Sequence, residues 1–139
     1  MLTAKPAWRY AIVGYIVVEV ILVAAAFAWV ALYSYGVHPG ESASYYQAYA
    51  ENASPIVALV AGIPVFFLTG RLFRRMIPDQ AQATILTLVA ISVIVTLVAL
   101  IMMTERRVYQ WAFALMCWSA HLSAGWVGTS SQPRADSRP

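Results

Sequence analysis

The chain predicts an all-α, polytopic membrane protein: a bundle of four transmembrane helices with both termini on the cytoplasmic side (N-in/C-in). Three observations lead there. Four long apolar stretches fill most of the 139 residues. Hydrophobic residues make up 61% of the chain and charged residues 11%, against about 45–50% and about 25% in soluble domains. So short a chain has too little interior to hide that much Val, Leu, Ile and Ala, and lipid must solvate part of it. Finally, the basic residues flank the apolar stretches instead of forming one soluble face, so the net charge of +3 is no nucleic-acid signal. Cys117 is the single cysteine, which excludes an intrachain disulfide and a cysteine metal site.

The first span is expected at 10–33, long enough at about 1.5 Å per residue to cross a hydrocarbon core about 30 Å thick. Trp8 and Tyr10 mark one edge and Trp29, Tyr33 and Tyr35 the other, as rings that prefer the headgroup level should. Lys5 and Arg9 before an apolar run, with A-x-A options at 24–28, also fit a cleaved leader. Glu19 interrupts the would-be leader core and the apolar run continues to Leu32, which favours a retained anchor.

An outer loop is expected at 36–52, opened by His38-Pro39-Gly40, with a short tyrosine-striped surface helix at 42–51. It contains no Lys or Arg, as suits a non-cytoplasmic loop. Ser54 as N-cap and Pro55 at the first helical position open a second span at 54–73, with a kink at Pro64. Arg71, Arg74 and Arg75 then form the strongest positive cluster and are expected at cytoplasmic lipid headgroups. Asp79 and Gln82 cap a third span at 80–103, and a tight turn leads into a fourth at 108–127. Residues 1–128 thus form the membrane domain, and 129–139 read as a disordered cytoplasmic tail.

Orientation follows from the bases. With the N-terminus inside, Lys5, Arg9, Arg71, Arg74, Arg75, Arg134 and Arg138 are cytoplasmic and only Arg106 and Arg107 are outside. The expected location is the plasma (inner) membrane.

One residue carries a mechanism. Glu19 lies near the middle of the first span, where a charge costs roughly 2.5–3.5 kcal/mol on insertion scales. His121, on the fourth span, lies at comparable depth from the same side. Its face reads Ala114, Cys117, His121, Ala124, Gly128, and small residues on one stripe let helices approach closely. Tyr15 is one turn from Glu19, and Ser119 and Ser123 flank His121. A buried pair of acid and imidazole is therefore expected, with two meanings: it fixes helix register, or Glu19, His121 and Tyr15 bind and release a proton or cation during transport.

The plan of four short spans with a glutamate, Glu19, inside the first resembles that of the small multidrug-resistance exporters. That resemblance implies transport. The tyrosine-bearing outer loop, the Arg-rich inner loop and the charged third turn depart from it.

Enzymatic signatures are lacking: the chain contains no H-E-x-x-H, no G-x-S-x-G and no phosphate-cradling glycine loop. Haem is not expected, because His38 falls in the outer loop and His121 toward the cytoplasm, and no other cofactor or metal is implied. The expected function is that of a non-enzymatic accessory or interaction subunit, bound to the bilayer and to itself or other membrane subunits. The alternative is a small proton-coupled transporter using Glu19 and His121.

Overall fold

The structure, a computed structural model, describes residues 7–102 and 108–130. Its four long helices run α1 (Ala7–Leu32), α2 (Ala43–Met76), α3 (Ala81–Met102) and α4 (Val108–Ser130). Three stretches, Trp8–Val37, Ala43–Met76 and Pro78–Met102, are long and apolar enough to cross a membrane. α4 is not among them, because Gln110, Ser119, His121 and Ser123 dilute its 23 residues. The turn at 103–107, with Arg106 and Arg107, lies outside the described residues, as do Lys5, Arg134 and Arg138.

The connection between the first two helices is shorter than the sequence suggests. α1 ends in a π-helical turn, Tyr33–Val37, closed by the His38 amide donating to the Tyr33 carbonyl at 3.0 Å. Gly40 then takes the left-handed region at φ +87°, open to glycine without a Cβ penalty. Ser42 caps α2 by accepting from the Tyr45 amide at 3.3 Å. The helix does not start at Ser54 and Pro55 but passes through both, and the Ser54 hydroxyl donates to the Ala50 carbonyl at 2.6 Å instead of capping.

Aromatic contacts explain why α2 extends so far. Trp29 Nε1 donates to the Tyr49 hydroxyl at 2.9 Å, the Tyr33 and Tyr45 hydroxyls are 3.0 Å apart, and the Tyr33 and Tyr49 rings stack at 3.6 Å. Each ring pair is worth about 0.5–1.5 kcal/mol beyond its area. The 34-residue helix therefore has a partner along its polar first turns. At the other end, α4 continues through Thr129 and Ser130, which the sequence assigned to the tail; residues 131–139 lie outside the described residues.

Packing divides the bundle in two. Near the Arg-bearing end, Ala11 and Val18 of α1, Phe66 and Phe73 of α2, and Ala81, Ile85, Leu88 and Val89 of α3 form the buried core. α4 closes it through a glycine seam with α2. A Cβ on Gly70 would strike the Gly125 carbonyl oxygen, and one on Gly128 the Phe67 carbonyl oxygen, so the two backbones meet with no side chain between them. Outside this core the apolar side chains face outward: Val13, Val20, Phe27, Val60, Leu68 and Ile94 are all exposed.

The seam sets a test. Gly128→Val forces α2 and α4 apart and is expected to lower unfolding stability in detergent by about 1–3 kcal/mol, the range for overpacked interiors. Gly36→Ala, whose added methyl would meet only a Leu32 methyl at 3.9 Å, is expected to stay within about 0.5 kcal/mol.

Candidate functional site

Toward the end bearing the tyrosines the helices splay, leaving a cavity of about 790 Å³. Glu19, Phe66, Ser92, Cys117 and His121 line its deep part, while Glu51, Asn52, Leu100 and Gln110 line its mouth. The depth order follows from helix register. α1 and α2 are antiparallel and tied at Trp29 to Tyr49 and at Tyr33 to Tyr45, so Glu19, ten residues below Trp29, lies level with Leu59, ten residues beyond Tyr49. Glu51 is eight residues earlier on α2, about 12 Å nearer the opening.

Glu19 is half-buried. Tyr15, one turn inward on α1, sets its hydroxyl against the Glu19 carboxylate. Across the cavity Thr96 commits its hydroxyl to the Ser92 carbonyl at 2.8 Å. No Lys or Arg is among the described residues that line the cavity.

His121 is held differently. Its ring stacks on Phe66 with centroids 4.5 Å apart and planes 9° from parallel. The backbone of Ala58 is its hydrogen-bond partner, and Nε2 is buried with none. That nitrogen sits where a Cβ on Gly62 would be. The imidazole is thus a wedge, seated in a notch that α2 forms by carrying glycine at 62 and walled by Phe66 one turn on. Close approach to the Gly62 Cα–H gives the Nε2 lone pair a weak partner of the C–H type.

Glu19 and His121 therefore share one cavity, but no ion pair joins them: Nε2 faces Gly62 and the carboxylate meets Tyr15. The serines expected to flank His121 turn away, Ser119 donating to the Met116 carbonyl at 2.9 Å and Ser123 to the Ser119 carbonyl at 2.8 Å. Of the small stripe on α4, Ala114 and Cys117 line the cavity, Ala124 packs on the core and Gly128 lies in the seam. Arg71, Arg74 and Arg75 are exposed, with Arg74 Nη1 donating to the Pro78 carbonyl at 3.1 Å.

Two contributors escaped sequence reasoning. The Gly62, Phe66, Gly70 spacing of four was a visible signal for the seam. Glu51 was hidden by its assignment to the last residue of a short surface helix in the outer loop, apart from the second span. His38 joins the aromatic cluster, its ring 5.3 Å from that of Tyr33, far from His121. No group of three or more His, Cys, Asp or Glu among the described residues could hold a metal ion.

Comparison with known proteins finds no matching family model, no similar curated protein and no similar solved structure. The functional reading therefore rests on the geometry of this chain.

The wedge can be tested by a double-mutant cycle. Gly62→Ala expels the imidazole and His121→Ala removes it. Each is expected to cost about 1–3 kcal/mol in unfolding stability, and the double variant less than their sum by about 0.5–3 kcal/mol. Strict additivity would show that the ring does not occupy the notch.

Proposed function

We propose that the chain is a non-enzymatic integral protein of the inner membrane with four spans, N-in and C-in, in which Glu19 binds and exchanges a cation, the proton first among them, as a small proton-coupled transporter. The observation that carries this is a mid-depth carboxylate facing a cavity that no Lys or Arg lines among the described residues, with His121 turned onto Gly62 and Phe66. An ionised carboxylate in lipid is costly unless partnered. A cavity open at one end gives Glu19 water when empty and a cation when occupied.

The pairing of its polar groups supports reading α4 as the fourth span. Ser119, Ser123, Thr129 and Ser130 all donate to carbonyls of their own helix, and His121 is enclosed by α2. Polar side chains satisfied in this way are tolerated within a bilayer. Arg9, Arg71, Arg74 and Arg75 gather at one end, opposite the hairpin that lacks basic residues, and this supports N-in. Exposed Arg71, Arg74 and Arg75 suit contact with anionic headgroups there.

The accessory-subunit reading has less in the geometry to favour it. Of the small face of α4, Gly128 meets α2, Ala124 packs on the core, and Ala114 and Cys117 line the cavity, all within the chain. Apolar side chains such as Phe27 and Ile94 remain outside, and lipid accounts for them as well as a second subunit does.

The test uses purified protein in liposomes with a pH dye inside. Cation addition is expected to release protons, and Glu19→Gln to reduce that release at least about tenfold, equivalent to some 1.4 kcal/mol of lost coupling. Proton release that survives Glu19→Gln would overturn the reading.

A further inference from the structure

The cavity carries a second carboxylate whose placement narrows the ligand. Glu51 lines the mouth and Glu19 the deep end, about 12 Å apart along the bundle axis. Between them the walls are apolar, with Leu22, Ala26, Ile56 and Phe113, and Trp118 adds an indole to the lining, the ring type that best attracts ammonium groups. Other polar groups at the mouth are occupied: Asn52 Nδ2 donates to the Ala48 carbonyl at 2.8 Å and the Ser54 hydroxyl to the Ala50 carbonyl at 2.6 Å. Glu51 is exposed and accepts from Gln47 Nε2 through Oε1 at 3.3 Å.

An apolar-walled cavity with one carboxylate at each end, and no Lys or Arg among the described lining residues, complements a particular shape of ligand. From this we infer that the cavity takes an α,ω-diamine, or a polyamine of matching length, with one ammonium at Glu19, the other at Glu51 and the methylene chain along the wall between. The inference rests on the cation site proposed at Glu19 and adds the class of cation.

Magnitudes decide how the two ends differ. Glu51 is exposed, and an exposed ion pair is worth about 0.2–1 kcal/mol, which converts to a tightening of about 1.4- to 5-fold. The inner ammonium, away from bulk water, supplies most of the affinity. The outer one supplies selection by length.

The experiment is calorimetric titration of the full chain in nanodiscs at low salt, with unbranched diamines from ethylenediamine to dodecanediamine and the monoamine of each carbon count. The expected result is an optimum at intermediate length, where the diamine binds about two- to fivefold tighter than its monoamine. That advantage disappears in Glu51→Gln, a surface change that spares the core, and shrinks at high salt. Glu19→Gln abolishes binding of both series. If monoamines and diamines bind alike and both are lost in Glu19→Gln, the diamine inference is overturned while the Glu19 cation site stands. If amines bind equally well in Glu19→Gln, both are overturned.

Discussion

The direct meeting of α2 and α4 backbones is the constraint on which the rest of this molecule depends. Four helices of mixed side chains would ordinarily keep about 8–10 Å between axes along their whole length. Here Gly70, Gly125 and Gly128 remove the side chains from one contact, and the helices close on each other near the Arg-bearing end. Helices pinned together at one end and held apart by bulk at the other leave a wedge-shaped opening. His121, Phe113 and Trp118 on α4 and Phe66 on α2 are the bulk that holds it, and the tyrosine ladder keeps α1 on α2 while the cavity opens beside them.

This arrangement gives Glu19 its character. A carboxylate packed against His121 would have been a fixed ion pair, buried and unexchangeable, of a kind whose desolvation cost rivals its attraction. The notch at Gly62 draws the imidazole onto Phe66 and the Ala58 backbone instead, leaving Glu19 with Tyr15 and an open volume. The histidine serves shape and the glutamate serves charge. The proposed cation site at Glu19 depends on that separation, since a partner built into the protein would compete with an arriving cation.

The helical architecture was largely legible from the chain. Long apolar runs and flanking bases located the helices within a few residues, because length and charge placement are local signals. The start of α2 was not legible at Ser54 and Pro55: Ser42 offers an equally good cap, and contacts with Trp29 and Tyr33 on α1, which no local pattern encodes, decide between them. Glu19 stood out through the cost of a mid-span charge, and His121 through the small residues on its face. The side chains that separate them did not, since only the register of α2 against α4 brings Gly62 under the ring. Glu51 was invisible as a site residue for a related reason: a short polar helix at 42–51 reads as separate from the second span until aromatic contacts with α1 show the two to be one helix.

The most direct measurement of the central claim, that the seam shuts one end and the cavity opens at the other, uses the native thiol. Cys117 lines the cavity one helical turn, about 6 Å, nearer the tyrosine end than His121 and is the only cysteine of the chain. A small, water-soluble, membrane-impermeant methanethiosulfonate is added to sealed vesicles from either face, and modification is followed by mass. Reaction is expected from the face that carries Glu41 and Tyr45, and none from the face that carries Arg74 and Arg75. Modification from the arginine face, or from neither, would contradict it.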